Sequence, residues 1–384
     1  MPCGRHAVGM AARTPPSRDE LVSFHSAALE GNALGASPER QLRVYLPPDY
    51  FSSSARYPVI YLLHGYGGDA AHPIIDSRQG LLRSYPRVIR LVLHRMLRRI
   101  VTLETLDALI VAGALRPFIL VQPDGSLHLP HIHGGTHPAG DPKNKGSMYY
   151  DSPGTGNFGT SVFCDAVDFV DSHYRTVADR VNRAVVGGSM GGYGALLAGI
   201  LHADRFSCVA ALSPSICGLD ILDVDLYVPF QRWFRGKRGT IEAGRADIED
   251  ILDTCDLIFS PDRPLLPTVV RDESRRAVQM DEVARSNWAL ADAGNMVATH
   301  AGAFEGVAVR VSCEERDEFQ LAGPDRRFSR VLNDRGIPHE LHVFRNDAAA
   351  RVSAHAVGIA MQVENGMRFC LDRMTADPVV ESRA

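Results

Sequence analysis

Residues 183–203 read RAVVGGSMGGYGALLAGILHA, and this stretch decides the fold. It begins with a short apolar run typical of a buried strand and ends with an apolar run, rich in small residues, typical of a helix. Ser189 lies in the glycine-rich turn between them, with Gly187 two residues before it and Gly191 two residues after it. A turn this sharp leaves no room for side chains at those two positions. The stretch therefore predicts a strand, a strained turn that presents one serine, and a helix.

Two other interpretations of this turn are a glycine-rich connection with an idle serine and a phosphate-binding loop. A phosphate loop would carry G-K-[ST] after its glycines, or G-x-G-x-x-G before the helix, and neither pattern is present. The G-x-S-x-G pattern between a strand and a helix favours a nucleophilic serine instead.

The composition is that of an ordinary globular enzyme. Hydrophobic residues make up 45% of the 384 residues, and the net charge of −4 lacks the basic excess typical of nucleic-acid-binding proteins. We therefore expect no nucleic-acid partner. The seven cysteines are scattered without a C-x-x-C pair, which favours reduced thiols over disulfides or zinc sites. Because no apolar run resembles a signal-peptide core or a membrane span, we expect a cytoplasmic protein.

Strand-like and helix-like segments alternate along most of the chain. Period-two alternation predicts two antiparallel edge strands near the beginning, and short apolar runs predict buried strands after them. The predicted strands cover residues 21–27, 41–46, 59–63, 118–122, 184–186, 208–214, 307–312 and 339–344, and helices are expected at about residues 160–177, 328–334 and 356–374. This alternation predicts an α/β fold with a mostly parallel, doubly wound sheet, whose reactive groups gather at the carboxyl ends of the strands.

The predicted domain organisation is simple. Residues 1–18 are expected to form a flexible tail, and residues 19–384 a single domain. Two regions interrupt the alternation of strands and helices. They are a helical insertion at residues 76–114 and a charged helical region at residues 216–297, which we interpret as a cap.

A serine hydroxyl becomes a good nucleophile when a histidine takes its proton and a carboxylate orients that histidine. In the α/β-hydrolase fold these partners follow the serine in the order acid, then histidine, each after a later strand. The strand at residues 307–312 is followed by four carboxylates in five positions, namely Glu314, Glu315, Asp317 and Glu318. The strand at residues 339–344 is followed by His355, which directly precedes the last predicted helix. His355 is therefore the predicted base.

Three motifs of the chain resemble those of the "Putative esterase" family of α/β-hydrolases, which includes esterase D, feruloyl-esterase-like enzymes and mycobacterial mycolyltransferases. They are YPVIYLLHGYGG at residues 57–68, NRAVVGGSMGGYGA at residues 182–195, and DEF at residues 317–319. The resemblance covers residues 21–74 and 115–374. It implies an α/β-hydrolase fold with inserted helical segments and a cap.

The same resemblance implies a role for individual residues. Ser189 would be the nucleophile, Asp317 the acid and His355 the base, and the backbone N–H groups of Tyr66 and Met190 would form the oxyanion hole. Glu314 stands where the family usually has glycine, and Ala354 precedes the histidine where the family usually has a glycine pair. Glu314 or Glu315 stays open as the acid, because a carboxylate one or two residues away on a loop can often reach the same nitrogen.

These features predict a serine carboxylic-ester hydrolase that acts on a small-molecule ester through an acyl-enzyme, with no cofactor. One alternative is an acyltransferase, in which an alcohol replaces water as the acceptor. Another is a binding protein without catalytic activity on the same fold. Acyl and alcohol specificity depend on the inserted segments, about which the motifs give no information.

A histidine-rich loop follows the strand at residues 118–122. His128, His131, His133 and His137, with Asp141 nearby, contain the His-x-His spacing of some transition-metal sites. Serine chemistry needs no metal, however, and no second ligand cluster accompanies them. We therefore expect these side chains to line the substrate site or face solvent, and we expect no metal.

The insertion contains a basic amphipathic helical pattern. Apolar residues recur at three- and four-residue spacing between Tyr85 and Ile100, with arginines between them and no acidic residue from Ser84 to Leu103. One expectation is that the apolar stripe packs on the body of the domain. The other is a lid at residues 84–103 that makes peripheral contact with lipid, its arginines meeting anionic head groups.

Overall fold

The central sheet has eight strands. The structure, a computed structural model, describes residues 18–71, 74–75, 101–127, 146–215, 251, 253–265, 270–271, 278–279, 281–347 and 353–375. The strands are β1 Arg18–His25, β2 Glu39–Leu46, β3 Val59–Leu63, β4 Ile119–Pro123, β5 Arg183–Gly188, β6 Cys208–Leu212, β7 Ala308–Glu314 and β8 His339–Phe344. They lie side by side in the order β1-β2-β4-β3-β5-β6-β7-β8.

The sheet is parallel except at its amino-terminal side. β2 pairs antiparallel with both β1 and β4, and the pairs from β4 through β8 are all parallel. The predicted mostly parallel sheet is therefore confirmed. β2 differs from the expectation, since it lies between β1 and β4, and of the two amino-terminal strands only β1 is an edge. The alternation of apolar and polar residues, with a short loop between the two segments, indicated that β1 pairs with β2. It carried no information about β4, the partner on the other side of β2.

Seven helices of 7 to 18 residues flank the sheet in the described ranges, and residues 253–259 are also helical. They are α1 Leu103–Val111, α2 Ala166–His173, α3 Met190–Leu201, α4 Glu282–Ala291, α5 Ala293–Thr299, α6 Ala322–Asp334 and α7 Ala354–Leu371. The helix expected at residues 160–177 is interrupted, because a single π-helical turn at Ser161–Asp165 precedes α2, which ends at His173. Helix α7 begins and ends slightly earlier than the expected 356–374.

The middle strands are buried on both faces. Tyr61 and Leu63 of β3 point into one apolar layer, which includes much of α3, whereas Ile60 and Leu62 point into the opposite layer, which includes α7 and α1. Every residue of β3 and β5 is buried. Continuous burial explains why these strands read as unbroken apolar or small runs in the sequence, without polar alternation.

Several expectations fall wholly or partly outside the described residues. The parts outside are residues 1–17 of the tail, residues 76–100 of the insertion, which include most of the segment 84–103 expected to contact lipid, and residues 128–145 of the histidine-rich loop. The cap region is described in part. Its described residues include α4, most of α5, and a short ladder between Val270–Arg271 and Val278–Gln279 that the sequence did not indicate.

Five cysteines lie in the described part of the chain, and its helices can be compared with the length needed to span a membrane. Its cysteines, Cys164, Cys208, Cys255, Cys313 and Cys370, are free thiols. Within the described ranges, no helix combines the length and the apolar character needed to cross a bilayer.

Candidate active site

Ser189 sits in a strained turn between β5 and α3. Its backbone angles, φ 57° and ψ −117°, are ones that residues with side chains rarely adopt. A Cβ atom added at Gly187 would lie 2.1 Å from the Gly191 oxygen, and one added at Gly191 would lie 2.1 Å from the Leu63 oxygen. These distances are far below van der Waals contact, so both positions require glycine. The half-buried Ser189 is thereby held at the tip of the turn, above the carboxyl end of the sheet.

The loop that follows β3 lies against this serine. A Cβ atom added at Gly65 would lie 3.6 Å from the Ser189 Cβ, which is ordinary van der Waals contact. Met190 is the first residue of α3, where a backbone N–H has no acceptor within its own helix. The side chains of Met190 and Tyr66 meet at Gly146, where an added Cβ would lie 2.1 Å from the Met190 sulfur and 3.1 Å from the Tyr66 ring. Both predicted oxyanion-hole residues therefore border the serine turn.

His64 anchors the beginning of this loop. Its Nδ1 donates to the Gly65 carbonyl at 2.8 Å, and its Nε2 accepts from the Gly125 N–H at 2.9 Å. The Tyr149 hydroxyl donates to the His64 carbonyl at 3.1 Å. Burial lowers the pKa of His64, opposed in part by the nearby Asp124 carboxylate. The imidazole is therefore neutral, and its two ring nitrogens are both used to hold the loop.

This neutral, buried histidine predicts acid sensitivity of the fold. Since the pKa of His64 is lower in the folded chain than in the unfolded chain, the unfolded chain takes up the proton first. We expect the free energy of unfolding to fall as the pH drops below about 6.5, the ordinary pKa of histidine. Urea unfolding between pH 8 and pH 5 measures this loss, and His64→Gln should reduce its slope because glutamine does not titrate.

His25 provides the matched control. It is exposed, and the hydrogen bonds that its ring donates to the Glu30 and Glu39 carboxylates raise its pKa, the opposite direction. His25→Gln should therefore leave the acid-induced loss at least as steep as in the wild type. Equal slopes for wild type and His64→Gln would contradict a neutral, buried His64.

The predicted acid and base are in direct contact. Asp317 Oδ2 lies 2.6 Å from His355 Nδ1, and the Asp317 carboxylate is fully buried. The other carboxylate oxygen, Oδ1, accepts from the Phe319 N–H at 2.8 Å, which fixes the orientation of the carboxylate. With its Nδ1–H directed at Asp317, the neutral imidazole carries its lone pair on Nε2. This is the arrangement that a general base needs.

The two alternative acids are engaged elsewhere. Glu314 is fully buried, accepts from the Arg316 backbone N–H, and accepts from the Asn346 N–H at 2.9 Å. Glu315 is exposed and pairs with Arg326 at 3.4 Å. Neither is hydrogen-bonded to His355 in the structure.

Helix α7 brings His355 close to the serine turn. A Cβ atom added at Gly188 would lie 2.4 Å from Ile359 Cγ2, so α7 packs directly on the residue before Ser189. Ile359 follows His355 by four residues and lies on the same side of the helix. The Ser189 hydroxyl makes no hydrogen bond with His355, or with any other residue in the described ranges. Such bonds are often long in enzymes without substrate and shorten when substrate binds.

Two residues at the site were not singled out from the sequence as contacts of the base. Glu318 accepts a hydrogen bond from the His355 backbone N–H at 2.8 Å. The Phe319 ring meets the imidazole edge to face, with centroids 4.7 Å apart, and remains 36% exposed. The sequence feature that could have pointed to these two residues is their position in the DEF motif, directly after Asp317.

The described residues contain no group of three or more histidine, cysteine, aspartate or glutamate side chains arranged to hold a metal ion. The histidines at positions 128, 131, 133 and 137 lie outside those residues. Their predicted lack of a metal therefore stays a prediction.

Comparison with known proteins identifies relatives of this chain. The family model described as "Putative esterase" matches residues 35–355. Esterase MT1326 and Esterase Rv1288, from two Mycobacterium tuberculosis strains, are each 27% identical to it over 323 residues. That region covers 82% of this chain and 55% of each relative, so the chain spans about half the length of the curated relatives it matches.

Solved structures share its architecture. A ferulic acid esterase aligns with a TM-score of 0.52 at 18% identity, covering 94% of this chain and 99% of that one. An S-formylglutathione hydrolase from Agrobacterium tumefaciens aligns with a TM-score of 0.53 at 15% identity, covering 96% and 99%. At these identities the likeness concerns the fold alone, and it confirms the predicted α/β-hydrolase fold. Because the family model spans most of the chain, this protein belongs to the "Putative esterase" family, the family that its sequence motifs resemble.

Proposed function

We propose that this chain is a serine carboxylic-ester hydrolase that works through an acyl-enzyme. The observation that carries the proposal is the buried Asp317–His355 pair, which adjoins the strained turn that presents Ser189. These residues and the loop after β3 all follow strands in the parallel part of the sheet. Such strands bring their carboxyl ends to a common edge, where α/β proteins place reactive groups.

The first half-reaction would form the acyl-enzyme. Ser189 Oγ attacks the ester carbonyl carbon while its proton passes to His355 Nε2. Asp317 stabilises the resulting imidazolium and keeps its Nδ1–H in place. The carbonyl oxygen becomes an oxyanion, for which the N–H groups of Tyr66 and Met190 are the proposed donors. The C–O bond then breaks, and the alcohol leaves with the proton from His355.

The second half-reaction would release the acid. Water gives a proton to His355 Nε2 and attacks the acyl carbon, the oxyanion forms again, and Ser189 Oγ leaves with that proton. No cofactor takes part in any of these steps. The proposed substrate is a small ester. An acyltransferase would share the first half-reaction and differ only in the acceptor, an alcohol in place of water.

If the reaction passes through an acyl-enzyme, a kinetic experiment and a labelling experiment on the intact protein should each detect it. With p-nitrophenyl acetate, stopped-flow absorbance should show a burst of nitrophenol of up to one equivalent per chain where deacylation is slower than acylation. A fluorophosphonate should label one serine, and peptide mass spectrometry should find the label on Ser189. Analysis of products in the presence of an added alcohol separates hydrolysis from acyl transfer. Absence of labelling, or a label on a different serine, would contradict the proposed nucleophile.

A further inference from the structure

The three consecutive residues Asp317, Glu318 and Phe319 all contact His355, each in a different way. Asp317 binds the ring nitrogen Nδ1, and the Phe319 ring meets the imidazole edge to face. Glu318 makes no hydrogen bond to the ring nitrogens. Its carboxylate binds the histidine through the backbone. The mechanism described above uses Asp317 and leaves the half-buried Glu318 without a role.

Both oxygens of the Glu318 carboxylate are used at the start of α7. Oε2 accepts from the His355 N–H at 2.8 Å, and Oε1 accepts from the Ser353 hydroxyl. Ser353 is the N-cap residue of α7, and its Oγ also accepts from the Ala356 N–H at 3.0 Å. The carboxylate satisfies one backbone N–H group that has no partner within the helix, and it interacts favourably with the positive end of the helix dipole.

This contact acts on the backbone of His355. The histidine is the second residue of α7, so its Cα moves with the first turn of that helix. A hydrogen bond to its own N–H restrains the backbone, while Asp317 restrains only the ring. Together the two adjacent carboxylates restrain the backbone and the ring of the same residue.

We propose that Glu318 is a positioning residue for the general base, holding the first turn of α7 so that His355 Nε2 faces Ser189. This inference rests on the proposed function. A displacement of a reacting group by about 1 Å can cost about a hundredfold in rate. Loss of the Glu318 contact should therefore lower kcat and leave substrate binding nearly unchanged, because both hydrogen bonds of Glu318 are made to the start of α7.

The test compares Glu318→Ala and Glu318→Gln with wild type on p-nitrophenyl acetate. Glutamine keeps one acceptor oxygen and so one of the two bonds, whereas alanine keeps neither. We expect kcat to fall about tenfold for Glu318→Gln and about a hundredfold for Glu318→Ala, with KM within about twofold for both. The low-field proton resonance of the Asp317–His355 hydrogen bond should broaden or shift in both variants, which reports the base directly.

Glu364→Gln is the matched control. Glu364 lies within α7 itself, well after the first turn, and forms an ion pair with Arg368 at 2.7 Å. We expect kcat and the low-field resonance to be unchanged in this variant. A similar fall in kcat for Glu364→Gln would show that any loosening of α7 is sufficient, and would overturn a specific role for Glu318.

The outcomes separate this inference from the proposed function. If Ser189→Ala is inactive but both Glu318 variants keep wild-type kcat and the low-field resonance, the positioning role is wrong and the function stands. If Ser189→Ala keeps its activity, the proposed function itself fails. Should Glu318→Ala not fold, Glu318→Gln and Ser353→Ala each remove part of the contact. A wild-type kcat in both of those would overturn the inference.

Discussion

Replacing Ser189 with alanine should lower the turnover of an activated ester by about a million-fold, the loss seen when the nucleophile of a complete triad is removed. The methyl group of alanine cannot attack a carbonyl carbon, and no second hydroxyl takes its place on the turn. The fold should survive. Position 189 already carries a side chain at φ 57°, so alanine introduces no new backbone strain. Steady-state hydrolysis of p-nitrophenyl acetate measures the first effect and thermal unfolding the second.

The outcome that would contradict this prediction is a folded Ser189→Ala protein that retains more than roughly a tenth of wild-type turnover. Such a result would mean that the strained turn has no nucleophilic role. Gly191→Ala is unsuitable as a control, because its Cβ would overlap the Leu63 carbonyl and displace the turn itself.

Asp317→Asn should lower kcat by about ten thousand-fold, as the same change does in another serine triad. The asparagine amide can present its NH2 group to His355 Nδ1. The ring would then carry its proton on Nε2, and an Nε2–H cannot accept the proton of Ser189. Because asparagine has nearly the same size as aspartate, the buried pocket should stay filled. Measurement of kcat on an activated ester tests this effect.

The neighbouring glutamates make this prediction specific. Glu315→Gln removes an exposed ion pair with Arg326 and should change kcat by less than about twofold. Glu314→Gln alters a buried carboxylate that holds Arg316 and Asn346, so its main effect should be on the unfolding temperature. If kcat fell more in either glutamate variant than in Asp317→Asn, the acid would have to be reassigned.

Much of this architecture could be predicted because its physical requirements are local. The serine turn needs glycine at positions 187 and 191, and the buried strands on either side of it need continuous apolar or small residues, so both left clear patterns. The order of acid and histidine along the chain then limited the search to two loops. The fold and the family were confirmed, while the roles of individual residues stay predictions that the experiments above test.

Other features depend on contacts between distant residues and could not be read locally. Four carboxylates occur within residues 314–318, and nothing in their order shows which one faces a histidine nearly forty residues later. The turn geometry decides that Glu314 points to Asn346 and Asp317 to His355. In the same way, the pairing of β2 with β4 follows from tertiary packing, which the period of the sequence does not encode. The π-helical turn at Ser161–Asp165 follows from local backbone geometry, which that period does not encode either.

The close crossing at Gly191 has a further consequence for how the catalytic parts come together. Because this residue touches the carbonyls of Leu63 and His64, the serine turn and the loop after β3 are pressed together through their main chains. In a partly folded chain in which β3 and β5 have not yet paired, neither the strained turn at Ser189 nor the loop after β3 would have the other to pack against. Any reactivity toward esters should therefore appear together with the centre of the sheet.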